Sequence, residues 1–183
     1  MKKPKKLIII TGPSGVGKGT VVKNILKKDK NIWLSISATT RKPRKGEENA
    51  KDYYFLTIKK FKEMIESEMF LEWAQFAGNY YGTPINIIKE KIKNGYKVIL
   101  EIEVEGACQV REKFSELISI FLLPPNKKEL EKRIRDRGTD NEKSILQRLE
   151  RANYEISSSK NFDYVLKNYE IDKTADEILK IIS

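Results

Sequence analysis

Five short apolar runs bounded by turn residues, at residues 7–11, 32–36, 97–102, 118–123 and 164–166, read as strands. Helical periodicity separates several of them, and that alternation predicts an α/β fold built on a parallel sheet. Between residues 37 and 95 the pattern changes. A polar loop leads to the apolar-aromatic run Tyr53, Tyr54, Phe55, Leu56, then to an amphipathic helix from Ile58, then to an aromatic-rich strand from Phe70 that turns at Gly78 and Asn79. This predicts a small mixed α/β insertion. Thr83 and Pro84 are expected to start its closing helix, with proline at the first helical position, and Gly95 to stop it. A second excursion follows Pro124 and Pro125, with one helix from about Asn126 to Arg137 and another from about Asp140. Thr139 and Glu142 have capping-box spacing, which marks the start of the second helix, and Gly138 between the two helices is a candidate hinge.

The chain of 183 residues is long enough for one substantial core and is expected to form one unit. It carries no apolar run near the roughly 20 residues of a membrane span. Its basic start resembles no signal peptide, so a cytoplasmic protein without membrane association is expected. The sequence has one cysteine and no histidine. Disulfides, zinc clusters and imidazole-based nucleophile systems or general bases are thereby excluded, and Cys108 is expected to be a small packing residue. The net charge of +10 suits either nucleic acid or small polyanions. No basic motif interleaved with aromatics is present, so no specific nucleic-acid partner is expected. Only eight of the 36 basic residues are arginine, and seven of those fall in two clusters, Arg41 and Arg44, then Arg133, Arg135, Arg137, Arg148 and Arg151. Guanidinium forks grip phosphate oxygens bidentately where lysine offers a point charge. The grouping suggests phosphate clamps, with solvated helix faces as the plainer reading for Arg135 and Arg151.

The chemistry concentrates in Gly12, Pro13, Ser14, Gly15, Val16, Gly17, Lys18, Gly19 and Thr20, between the first strand and an amphipathic helix. A strand, a glycine-rich loop and a helix in that order make a polyphosphate cradle: loop amides converge on the phosphates, the helix N-terminus adds partial positive charge, and Lys18 neutralises the distal groups. The position after the lysine, usually a hydroxyl that ligates magnesium, is Gly19, and the hydroxyl comes one residue later at Thr20. Ser37 to Arg44 combines hydroxyls with two arginines held near Pro43, a second place for a phosphate group. Glu72 is an unusual carboxylate in an apolar, aromatic run. Strand alternation sets it opposite Leu71 and Trp73, either facing solvent or reading a base. Guanine offers two adjacent donors to one carboxylate, whereas adenine does not, so a buried Glu72 would reject adenine strongly. Glu101 and Glu103 share a face near the C-terminal end of an inner strand, where ligands of open α/β sheets bind. Either could anchor water-bound magnesium or a substrate hydroxyl, or begin a surface loop.

With these motifs in this order, together with Gly46-Glu47, Asp52-Tyr53, the segment Gly78 to Thr83, and Arg137-Gly138-Thr139, the chain resembles the guanylate kinase family over nearly its whole length. The resemblance implies a P-loop parallel-sheet core (about 1–36, 96–125 and 158–183), a GMP-binding subdomain (about 37–95) and a helical lid (about 126–157). It implies ATP and GMP as substrates, with dGMP accepted too, and magnesium as cofactor. It assigns Ser37, Glu72 and Thr83 to guanine, and Arg41, Arg44, Tyr53 and Tyr81 to the GMP phosphate. Lys18, Arg137 and Arg148 surround the transferring phosphoryl group, with Arg41 counted among the catalytic groups. Arg133 belongs near ATP and Asn168 on the adenine side. Glu103 stands where the family usually has Asp, at a position facing GMP and, with Thr20, magnesium through water. Glu105 stands where Gln is common. A monomer or homodimer is expected. The rival readings are an inactive guanylate-kinase-like module that binds protein partners and a kinase for another small phosphorylated metabolite.

The absence of histidine fits this chemistry. A phosphate monoester has its second pKa near 6, so close to neutral pH the acceptor is mostly dianionic and needs no general base. Catalysis reduces to alignment, charge neutralisation and exclusion of water.

Overall fold

The computed structural model describes residues 5–76, 78–136 and 141–183. Its centre is a five-stranded, all-parallel sheet in the order β2 (Ile32–Leu34), β7 (Lys97–Glu101), β1 (Leu7–Thr11), β8 (Leu117–Leu123), β9 (Tyr164–Lys167). Every residue of β1 is buried, as a central strand covered on both faces requires. The two-residue alternation of its side chains divides the core. Ile8 and Ile10, with Ile99, Ile120 and Leu122, pack beneath α1 (Lys18–Lys28) and α7 (Ile171–Ile182). Leu7 and Ile9, with Val98, Leu100 and Phe121, pack against α4 (Val104–Lys113) and α3 (Ile85–Lys93). Each such side chain contributes about 1.5–3 kcal/mol by leaving water, and together they fix the strand ends where the phosphate loop and Glu101 emerge.

The insertion is a second sheet, β4 (Tyr54–Phe55), β3 (Ala38–Thr39), β6 (Asn79–Pro84), β5 (Phe70–Phe76), covered by α2 (Ile58–Glu66). Phe61 of α2 is fully buried and stacks on Phe70 at 4.3 Å and Tyr80 at 5.4 Å. Thr57 caps α2 by accepting from the Lys60 amide. The predicted polar loop after Ser37 contains β3, whose register, Ala38 opposite Gly82 and Thr39 opposite Tyr81, ties it to β6. Pro84 ends β6 and caps α3 with an extended backbone (φ −64°, ψ 124°), so the first helical residue is Ile85, one later than the sequence predicts.

The third part pairs α5 (Lys127–Arg135) with α6 (Glu142–Ser157) through Leu130, Ile134, Ile145 and Ala152. Asn126 caps the first helix and Asn141 the second, each side chain accepting a backbone amide three residues on. Asn141, not Thr139, is therefore the cap of α6, and Glu142 instead forms a two-pronged ion pair with Arg135 at 2.7 and 2.8 Å. Thr139 and the hinge candidate Gly138 lie outside the described residues. Cys108 is exposed on α4 rather than packed. No described helix is long and apolar enough to cross a membrane.

Candidate active site

The loop from Gly12 to Gly17 leaves the buried end of β1 and enters α1, whose N-terminus has no side-chain cap and so presents its first-turn amides to a ligand. Gly12 is required here: its φ is +147°, and a Cβ on it would lie 2.4 Å from the Leu122 carbonyl oxygen of β8. Lys18 Nζ spans the loop, donating to the Gly12 carbonyl at 2.5 Å and the Pro13 carbonyl at 3.4 Å. The Glu101 carboxylate ends β7 beside this loop, where a Cβ added to Gly19 would meet its Oε1 at 3.4 Å. Burial pushes the Glu101 carboxyl above its ordinary range, and the Lys18 charge pulls it back. Thr20 and Arg133 line a neighbouring cavity of about 580 Å³ with Asn168 and Tyr169.

The second sheet assembles the other half of the site. Thr83, fully buried, donates from its hydroxyl to Glu72 Oε1 at 2.5 Å. Glu72 itself is only 6% exposed, which excludes the solvent-facing alternative. The pairing of β5 with β6 shifts register between Phe70 and Trp73, and this irregularity breaks the alternation. Leu71 and Glu72 are both buried, while Trp73 is half out in solvent. Gly106 of α4 leaves the room: a Cβ there would lie 2.7 Å from Glu72 Oε2. Burial raises the Glu72 carboxyl above its ordinary range, against the lowering effects of the Thr83 hydrogen bond and the Lys113 charge.

Tyr53, next to β4, meets Tyr81 of β6 edge to face at 6.3 Å, and the Arg41 guanidinium lies over the Tyr53 ring at 5.4 Å. Ser37 immediately precedes β3, and its carbonyl accepts the Tyr54 amide. Glu47 organises the intervening loop, taking Arg41 Nη2 at 2.8 Å and the Arg44 amide at 2.7 Å. The Arg41 hydrogen bond, then that of Arg44, holds the Glu47 carboxyl below its usual value. The Arg44 side chain is exposed. A cationic, aromatic patch and a buried carboxylate with a bonded hydroxyl therefore sit on one small sheet.

Glu103 stands apart from Glu101. It is the residue before α4, its side chain is 56% exposed, and its near charge is Arg151 of α6 at 3.9 Å. Arg151 also reaches Glu105 at 3.3 Å and the buried Glu155 at 3.0 Å, so it joins α6 to the start of α4 and is more than a solvated helix residue. Arg135 pairs with Glu131 along α5 and with Glu142 at the start of α6, so it too links two helices. Arg148 is half-buried on α6, and Arg137 lies outside the described residues.

The family model for guanylate kinase matches residues 4–183. The chain belongs to the guanylate kinase family. A curated guanylate kinase of Prochlorococcus marinus strain MIT 9312 is 66% identical over 182 residues, covering 100% of this chain and 99% of the relative. One from Halalkalibacterium halodurans is 50% identical, covering 100% of this chain and 90% of its own length. The crystal structure of guanylate kinase from Anaplasma phagocytophilum superposes with a TM-score of 0.79 at 34% identity, covering 99% of this chain and 86% of that one. The P-loop parallel-sheet core is thus the fold of this guanylate kinase family member.

The sequence singles out Glu47 only as part of the Gly46-Glu47 motif, without its role in holding Arg41 and Arg44, and gives no role to Gly106. A glycine inside the helical stretch after Glu103 was the available signal for Gly106, since helix interiors disfavour glycine unless close packing requires it.

Proposed function

We infer that this enzyme transfers the γ-phosphoryl group of ATP to GMP, giving ADP and GDP. The observation that carries this reading is the buried Glu72, bonded to Thr83, on the same small sheet as the Arg41, Tyr53 and Tyr81 cluster. One end of that sheet suits a base with two adjacent donors and the other suits a phosphate. We assign guanine to Glu72, Thr83 and Ser37, and its phosphate to Arg41, Arg44, Tyr53 and Tyr81. Deoxy-GMP has the same base and phosphate and is expected to serve as well. The loop from Gly12 to Thr20 takes the ATP phosphates, with Lys18 moving from its carbonyl partners to the transferring group. Arg133 lies on the ATP side, and Arg137 and Arg148 complete the cage of positive charge. Residues 37–95 act as the GMP-binding part and 126–157 as the lid on a core formed by the rest.

The donor set near Lys18 fits magnesium, which takes few protein ligands and completes its shell with water and substrate phosphates. Among the described residues no three acidic, histidine or cysteine groups gather into a closed metal cage. Thr20 and Glu101 flank the loop and would hold the ion through water, where it would neutralise phosphate charge. Glu103, directed toward Arg151, is the weaker candidate. Among the chain's own groups, Lys18 and the arginines offset the repulsion between two anions, and the loop amides fix the donor in line.

Adding GMP to enzyme, ATP and magnesium should start ADP release that is absent without an acceptor, and no GMP-dependent release would refute the assignment. Glu47→Gln should raise KM for GMP about tenfold by loosening the loop that aims Arg41 and Arg44, with KM for ATP unchanged. Acid acts through Glu72. Only its ionised form accepts both guanine donors, and its value is raised, so KM for GMP should climb on acidification before the ordinary carboxylate value of 4.5 is reached. A Glu72→Gln variant should show only the shallower rise from protonation of the GMP phosphate. The same raised value means that ionised Glu72 costs the fold stability, which protonation relieves. Acid weakens binding here without unfolding the protein through this group.

A further inference from the structure

Asn168, expected beside adenine, is 1% exposed, and its amide is directed into the protein. Nδ2 donates to the Val16 carbonyl of the phosphate loop at 2.8 Å, and Oδ1 accepts from the Thr174 hydroxyl of α7 at 3.0 Å. The orientation of the amide is fixed chemically, because the Val16 carbonyl can only accept. The Asn168 backbone amide is bonded to the Leu123 carbonyl at 2.8 Å, which anchors the residue to the end of β8. The same Val16 carbonyl receives Arg133 Nη1 of α5 at 3.2 Å. Gly17 follows in a left-handed conformation (φ +98°), and a Cβ on it would come within 2.9 Å of Asn168 Nδ2. The loop thus turns from Val16 into α1 around the Asn168 amide, with Thr174 behind it as a second support.

We propose that Asn168 is a positioning residue that sets the shape of the phosphate loop through the Val16 carbonyl, backed by Thr174, and that its side chain does not read the donor base. The proposal rests on the reading of this loop as the ATP site. Its consequence is a division of labour: donor affinity depends on the chain from Thr174 to Asn168 to Val16, and donor-base preference does not. Thr174 is 3% exposed on the far side of Asn168, so a nucleotide in the cavity does not touch it.

The test compares Asn168→Ala and Thr174→Val with the parent enzyme, first confirming that the parent phosphorylates GMP and that each variant is folded by its melting curve. KM is then measured for ATP and for ITP as donors, and for GMP as acceptor. Removing the buried hydrogen bond to the loop in Asn168→Ala, or the Thr174 bond that supports it in Thr174→Val, should raise KM for both donors by the same factor within each variant, about five- to tenfold for the first and about threefold for the second. KM for GMP and the ATP-to-ITP preference should be unchanged. A general loss of stability would lower the melting temperature and the active fraction without separating donor from acceptor KM. If the ATP-to-ITP preference collapses in either variant, Asn168 reads the base and the proposal is wrong. Unchanged donor KM in Thr174→Val overturns it also, and that variant decides the matter should Asn168→Ala not fold.

Discussion

Lys18→Met should lower kcat about 10³-fold while leaving GMP binding intact. The substitution keeps an unbranched side chain one atom shorter and removes its charge at the mouth of the loop, where Lys18 Nζ now lies 2.5 Å from the Gly12 carbonyl. Preorganised positive charge on a transferring phosphoryl group is worth most in the transition state, and removing one such donor typically costs about 10²–10³ in kcat. Glu101 sharpens the effect, because its half-buried carboxylate loses the Lys18 charge that offsets its burial. Single-turnover kinetics with saturating ATP read the chemical step, and calorimetric titration with GMP reads the acceptor site. A variant with near-normal kcat would mean that the transferring phosphate is held elsewhere.

Glu72→Ala has the second large effect, on the acceptor alone. A carboxylate that accepts both the N1 and 2-amino donors of guanine makes two charge-assisted hydrogen bonds, each worth about 1.5–3 kcal/mol, so kcat/KM for GMP should fall about 10³-fold. A single neutral hydrogen bond is worth only about 1 kcal/mol, so on this assignment Glu72 would be the dominant base-selecting group. ATP binding should persist, since Glu72 touches the second sheet and α4 rather than the phosphate loop. The protein should remain folded, because removing a carboxyl whose burial is unfavourable relieves a cost even as it leaves space beside Gly106. Unchanged GMP kinetics would remove the basis for assigning guanine to this pocket.

The parts of the molecule that sequence makes legible are those with strong local signals. The five apolar runs became the parallel sheet, and the glycine-rich run between β1 and α1 became the loop, because strand burial and loop geometry both depend on neighbouring residues. Glu72 shows the limit. Its residue type suggested base recognition, but strict alternation left solvent exposure open, and the register shift between Phe70 and Trp73 that buries it depends on pairing with a strand several residues away. Asn168 shows another. Its place after the last strand was readable, whereas the turn of its amide toward Val16 is a contact across 152 residues of sequence. Glu101 and Glu103 have the same alternation and opposite surroundings, one against the loop and one beside Arg151 of α6. The start of α6 shows a third: the helix begins at Glu142, so Asn141 is the residue whose side chain reaches the Ser144 amide as cap.

The central claim, that a phosphate loop and a guanine-reading carboxylate work on one reaction, is tested most directly by following a single phosphoryl group. ATP radiolabelled in its γ-phosphate is incubated with enzyme, magnesium and an equimolar mixture of GMP, AMP, CMP and UMP, and the nucleotides are separated by chromatography. The label should pass from ATP into GDP alone, with no comparable release as inorganic phosphate. Label in ADP, CDP or UDP at a rate equal to that in GDP would contradict the account, as would label remaining in ATP while the folded enzyme binds GMP.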